Sequence, residues 1–184
     1  ATNAAGTVYG SQVSFTTDPE APTVTTQAAS GIGQTTATGN GNITDLGVPN
    51  PTAHGFVWNT GGTPKTGDNA TDEGAASSTD AFTSSITGLS PNTTYYVRAY
   101  ATNTAGTVYG NEVSFTTDPE PAAVTTQAVT NIANTAATGN GTITSLGVPN
   151  PTAHGVVWNT GGTPTTADNA TDEGAASATG AFTS

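Results

Sequence analysis

The sequence predicts an all-β protein built from tandem antiparallel β-sandwiches, and three observations carry that reading. Thr, Val and Tyr favour half-buried strands, while the 23 Gly and 11 Pro, with many Asn, favour the turns between them. Short runs with period-two alternation recur between turn signals, and helix-period patterns are almost missing. The chain also repeats itself: Ala1 aligns with Ala101, Gly10 with Gly110 and Phe15 with Phe115, an offset of one hundred residues.

That offset sets the domain organisation. Pro19–Ser84 matches Pro119–Ser184, with "LGVPNPTAHG" identical at Leu46–Gly55 and Leu146–Gly155. Most differences are small swaps, such as Phe56 against Val156, Lys65 against Thr165 and Asp45 against Ser145. Boundaries fall at "TTDPEAP" (Thr16–Pro22) and "TTDPEPA" (Thr116–Ala122), where proline and acids follow a strand-like run. Residues 1–18 then read as the last strands of a preceding repeat, 19–118 as one complete repeat and 119–184 as the front of a following repeat. With 33% hydrophobic residues, each unit buries only a modest core.

Within the complete unit, strands are expected near Thr23–Ala28, Thr35–Thr44, His54–Asn59, Ala81–Thr87, Thr94–Asn103 and Glu112–Thr117. Alternation puts Phe82, Ser84 and Ile86 inward in the fourth, Tyr95, Val97 and Ala99 in the fifth, and Val113 and Phe115 in the last. Tyr96, Arg98 and Tyr100 are left on the opposite face. Asn40-Gly41 admits two readings, a tight hairpin turn or a continuous strand with Ala37, Gly39, Gly41 and Ile43 inward. The second is preferred, because small residues leave room for Trp58 or Phe56 from a neighbouring strand.

The stretch "LSPNTTYYVRAYATN" (Leu89–Asn103), followed by Gly106, resembles the E–F corner and F strand of fibronectin type III domains, which belong to the immunoglobulin-like sandwiches. "GNEVSFTT" (Gly110–Thr117) resembles the G strand of this domain in bacterial secreted or cell-surface proteins. The resemblance implies a tyrosine corner at Tyr95, a core plug at Leu89 and a turn at Pro91-Asn92. It departs from the family in placing its tryptophan, Trp58, in the C strand instead of B, and in the long loop Asn59–Asp80. Strand order between C and E therefore stays open.

Composition excludes several functions. With 13 acidic against 2 basic residues, net charge −11, the chain repels phosphate backbones and anionic membrane surfaces, so nucleic acid is not an expected partner. No run approaches the ~20 apolar residues of a membrane span, so membrane insertion is not expected. Without cysteine there is neither a disulfide nor a thiolate metal site. The lack of methionine and the single lysine leave few points for oxidation or trypsin-like cleavage, which suits an extracellular or cell-surface location.

The sharpest chemical candidate is an acidic loop, Asp68, Asp72 and Glu73, recurring as Asp168, Asp172 and Glu173. Calcium takes six to eight oxygens, and such a loop, with Asn69 and backbone carbonyls, could supply them. A solvated acidic loop is the preferred reading, and no other cofactor is expected. Acids in the linkers, Asp18 with Glu20 and Asp118 with Glu120, admit an ion at the joint, although Pro19, Pro22, Pro119 and Pro121 stiffen it without one. His54 and His154 stand alone, and the many Ser and Thr hydroxyls lack an activating base, so an enzyme is not expected. Asn42, Asn69, Asn92 and Asn169 lie in Asn-X-Thr sequons. Tyr96, Arg98 and Tyr100 read either as a glycan-binding stripe or as an ordinary cross-strand ladder, the second being preferred.

The expected function is a non-catalytic structural segment of an extracellular or cell-surface fibre, filament or adhesin stalk. The alternative is a carbohydrate- or protein-binding accessory module of a secreted enzyme or receptor. The expected partners are neighbouring repeats of the same chain or identical subunits, and glycans under the alternative. The mid-repeat start suggests a window on a longer array. The other reading is a whole subunit whose residues 1–18 complete another copy. Joining Ala1 after Ser184 leaves out the counterpart of Ser85–Tyr100, which favours the window.

Overall fold

The computed structural model describes residues 1–184 and contains strands, turns and loops but no helix. Near the amino terminus, β1 (Thr2–Asn3) and β2 (Gly6–Thr7) form a small hairpin, and the whole stretch to Asp18 is exposed. The next hundred residues hold β3 (Thr23–Ser30), β4 (Thr36–Asp45), β5 (Ala53–Asn59), β6 (Asn69–Ala70), β7 (Ala81–Thr87), β8 (Thr94–Asn103), β9 (Gly106–Tyr109) and β10 (Val113–Thr116). They make two antiparallel sheets. One has the order β3-β4-β7, and the other β10-β8-β5-β6, with β9 paired to the far end of β8.

The core lies between these sheets. Val24, Ala37, Ile43 and Ile86 come from the first, and Phe56, Trp58, Tyr95, Val97, Ala99 and Phe115 from the second. β4 shows why the sequence folds this way. It runs unbroken through Asn40-Gly41, without a turn, and buries Ala37, Gly39, Gly41 and Ile43. A Cβ on Gly39 would stand 2.8 Å from the Phe56 ring, and one on Gly41 2.8 Å from Phe82. Glycine at both sites is thus a packing requirement, since each ring occupies the space a Cβ would take.

One expectation needs correction. Alternation puts Tyr100 on the outward face with Tyr96 and Arg98, yet it is only 5% exposed. The physical reason is the loop after β5, whose β6 segment extends the sheet as an edge strand beside Val57 and Trp58 and leads to Thr71, whose carbonyl crosses the face of the sheet at Gly55. Gly55, directly opposite Tyr100, leaves space for the covering chain, and the Tyr100 hydroxyl donates to the Thr71 carbonyl at 2.9 Å. Alternation along β8 could not show this, because the cover comes from thirty residues upstream.

Residues 119–184 repeat the first sheet and little of the second. β11 (Ala123–Thr130), β12 (Thr138–Ser145) and β15 (Gly180–Thr183) form a three-stranded sheet; β13 (Val157–Trp158) and β14 (Asn169–Ala170) form a two-stranded one. No strand equivalent to β8–β10 lies against them.

Candidate functional site: the joint between units

The joint at Asp118-Pro119-Glu120 is built from backbone groups. On one side the Asp118 N–H donates to the Gly33 carbonyl at 3.0 Å, and the Asn92 N–H donates to the Asp118 carbonyl at 3.1 Å. On the other side, Glu120 exchanges both its backbone bonds with Val148, at 2.9 and 2.8 Å. Only Pro119 stands between two anchored residues, and its ring fixes φ. Glu20 pairs with Val48 in the same way, at 2.8 and 2.9 Å.

Asn103 secures this region inside the complete unit. Its side chain, 6% exposed, donates to the carbonyls of Glu20 at 2.7 Å and Pro49 at 2.8 Å, while its Oδ1 accepts from the Ala105 N–H at 2.9 Å. One amide thereby ties the linker, the Pro49 loop and the turn after β8. Sequence reasoning did not single it out. The available signal was an Asn directly before the two-residue turn Thr104-Ala105, a common role for this side chain.

The corner positions the joint from the other end. The Tyr95 hydroxyl accepts from the Ser90 N–H at 3.0 Å, Leu89 is 5% exposed in the core, and Asn92 after Pro91 takes a positive φ of 47°. Thr117 is also buried, and its hydroxyl donates to the Ser90 carbonyl at 2.6 Å while accepting from the Thr93 N–H at 2.9 Å. Trp58 lies on β5 with 8% exposure, against the interior.

The acidic loop does not gather its carboxylates. Asp68 accepts from the Lys65 N–H at 2.9 Å, Asp72 from the Gly74 N–H at 2.8 Å, and Glu73 from the Ser84 hydroxyl at 2.5 Å. In the second unit Asp168 and Asp172 repeat the first two bonds at 2.8 and 2.7 Å, and the Glu173 N–H donates to the His154 carbonyl at 2.8 Å. No group of three carboxylate or imidazole side chains is placed to share an ion. Asp68 and Asp72 bond groups of their own loop, and Glu73 ties that loop to Ser84 on β7.

Charge is tuned at two points. Burial, and then the nearby carboxylates of Asp72 and Glu73 and the Tyr109 phenol, push the Tyr100 hydroxyl above the usual tyrosine range. The Thr165 N–H holds the Asp168 carboxyl below the usual carboxylate range. Arg98 donates from Nε to the Gly110 carbonyl at 2.9 Å and stacks over the Tyr109 ring at 4.8 Å from its centre. With Tyr100 covered, this face holds a cation–π ladder and no aromatic stripe.

His54 is packed edge-on against Phe82, ring centres 4.8 Å apart, and its Nδ1 contacts the Gly74 carbonyl at 2.8 Å. The Ser84 hydroxyl donates to the Glu73 carboxylate at 2.5 Å.

No protein-family model matches the chain, and no curated protein matches it. Among solved structures the chain is similar to the sensor domain of the anti-sigma factor RsgI4 of Pseudobacteroides cellulosolvens, with 19% identity and a TM-score of 0.39, covering 53% of this chain and 94% of that one. It is also similar to the fibronectin type III domain of human fibronectin type III domain containing protein 3, with 18% identity and a TM-score of 0.34, covering 59% of this chain and 94% of that one. The topology of residues 19–118, three strands facing β10-β8-β5-β6 across one core, is that of a fibronectin type III-like β-sandwich.

Proposed function

We propose that the chain is a structural segment of an extracellular or cell-surface fibre, filament or stalk made of fibronectin type III-like repeats, without catalytic activity. The observation that carries this reading is the joint. A connection with one unanchored residue, itself proline, transmits orientation and load from one unit to the next. Flexible linkers of several residues would not.

Other features support the same role. The hydroxyl-rich, acidic surface keeps such a rod soluble, and the lack of sulfur residues suits an oxidising exterior. No helix is long and apolar enough to cross a membrane. A glycan-binding stripe of Tyr96 and Tyr100 needs both rings open, and Tyr100 is covered.

Small-angle scattering of the chain, compared with a variant carrying Gly-Gly-Ser inserted after Pro119, tests the reading. The parent is expected to scatter as a stiff extended particle, with the insertion broadening its distance distribution. Equal flexibility in both proteins, or hydrolytic activity of the purified chain, would overturn it.

A further inference from the structure

Every strand of the complete unit has its place in one of the two sheets, and β7 is left with a free edge. It pairs with β4 alone. The Gly139 and Ser184 backbones exchange both hydrogen bonds, at 2.9 and 3.0 Å, and Gly39–Ser84 is the same pair one repeat earlier. Antiparallel alternation therefore turns the backbone groups of Phe82, Ser84 and Ile86 toward β4, and those of Ala81, Thr83, Ser85 and Thr87 away from it. No backbone bond from outside the sheet reaches those four residues.

The other edges are blunted, and β7 is not. β3 is broken by two register shifts, and the Thr26 N–H is taken by Asn111 Oδ1 at 3.1 Å. β6 has two residues, and β10 has four, set between Glu112 and Asp118. Proteins ordinarily guard sheet edges with such devices, or with charge and proline along the strand. β7 runs for seven residues, Ala-Phe-Thr-Ser-Ser-Ile-Thr, without a charge, a proline or a register shift.

We propose that β7 is a lateral contact, pairing antiparallel with β7 of a second copy about a twofold axis through Ser84. This rests on the reading of the chain as a fibre segment, and names what holds two such segments side by side.

Two features fix the partner as the chain itself. The first is register. Seven-residue strands overlap fully only with Ser84 on Ser84, which sets Thr83 opposite Ser85, Phe82 opposite Ile86 and Ala81 opposite Thr87. The residues with outward backbone groups then face one another, so each free donor meets an acceptor. An edge that completes itself in this way is isologous and closes as a pair. The second feature is charge. Copies of a chain with net charge −11 repel over most of their surface. In this register Asp80 falls opposite Gly88, so the strand ends bring no acid against another. The Thr83, Ser85 and Thr87 side chains are short and exposed, and the half-buried Phe82 gains cover from the second copy.

One carboxylate tunes the contact. Glu73 reaches from the loop after β6 to accept from the Ser84 hydroxyl at 2.5 Å. Ser84 lies on the twofold axis, so pairing brings two Glu73 side chains toward each other. Inward-pointing charge restrains edge pairing, and Glu73 is thus the residue that limits the strength of this one.

Two single-cysteine variants of this cysteine-free chain read the register. Thr83→Cys and Ser85→Cys proteins, mixed in equal amounts and oxidised, are expected to give mainly the mixed disulfide by intact mass, because opposed bonded residues have Cα atoms about 5.5 Å apart. Sedimentation of the 184-residue protein is expected to show a concentration-dependent dimer. Ser85→Lys should weaken it at least ~10-fold, with urea unfolding of residues 19–118 unchanged. Glu73→Gln, whose amide oxygen can keep the Ser84 bond, should tighten it. Equal yields of the three disulfides, a parent that stays monomeric, or a dimer indifferent to Ser85→Lys would overturn the proposal, and a Glu73→Gln protein that pairs no more tightly would overturn the role given to Glu73. A monomer that still scatters as a stiff rod removes this contact and leaves the structural reading standing, whereas a flexible chain that still pairs through β7 does the reverse.

Discussion

Residues 53–59 and 153–159 are the same sequence but for one position, and they do not have the same structure. The first copy is a seven-residue strand with Trp58 8% exposed; the second keeps only Val157–Trp158 as strand, with Trp158 49% exposed. The difference lies in β8, which pairs with the first copy along its length and has no counterpart on the second. β3 and β11 show the same effect on burial, Val24 being 6% and Val124 63% exposed. Both remain strands because β4 and β12 still pair with them. A strand thus depends on one bonded neighbour, and a core residue on the opposite sheet.

This contrast can be broken by truncating equivalent residues in the two units, and the largest effect is expected for Phe56. Phe56→Ala should lower the stability of residues 19–118 by ~3–5 kcal/mol, as for a fully buried aromatic, whereas Val156→Ala should cost less than ~1 kcal/mol. Urea titrations followed by tryptophan fluorescence and far-ultraviolet dichroism check both. Equal costs would mean that the second unit is closed in solution.

A smaller effect is expected from adding one methyl group. Gly39→Ala pushes a Cβ into the ring of a fully enclosed Phe56 and should cost ~1–3 kcal/mol. In Gly139→Ala the equivalent contact is to Val156, also at 2.8 Å, but Val156 borders an open groove and can shift. Melting curves of the two variants should separate clearly, the second lying near the parent.

The pH response sharpens the comparison further, because only the complete unit has Tyr100. Its hydroxyl is raised above the ordinary tyrosine value of about 10, so the neutral form is favoured in the folded state. The stabilisation is fully present below that value and is lost as pH rises through the folded-state value. Absorbance at the phenolate band should show one tyrosine ionising late, together with unfolding, and Tyr100→Phe should remove that late step. The smallest effect is expected from chelation. With Asp68, Asp72 and Glu73 each bonded to a different group, excess chelator should leave the melting temperature unchanged, and a drop of several degrees would reveal a bound ion.

Much of the complete unit was legible because alternation reports a strand's two faces directly. Ala37, Ile43, Ser84, Ile86, Val97 and Phe115 all face inward as their spacing requires. Tyr100 was not legible, since its cover is a loop distant in sequence. The short β6 was hidden in a stretch whose Gly, Asn and Asp content reads as loop, and it exists only through its pairing with β5. Asn103 was equally hidden, because nothing local to β8 says that Glu20 and Pro49 will arrive beside it.

The sequence by itself determined the strand-and-turn grammar, the repeat length, the small residues of β4 and the proline at each joint, all properties of local chain chemistry. Tertiary structure alone decided what covers Tyr100, which groups the acidic side chains of Asp68, Asp72 and Glu73 bond, and how few residues remain unanchored between units. Those outcomes depend on hydrogen bonds and ring contacts between segments far apart in the chain, which no local pattern encodes.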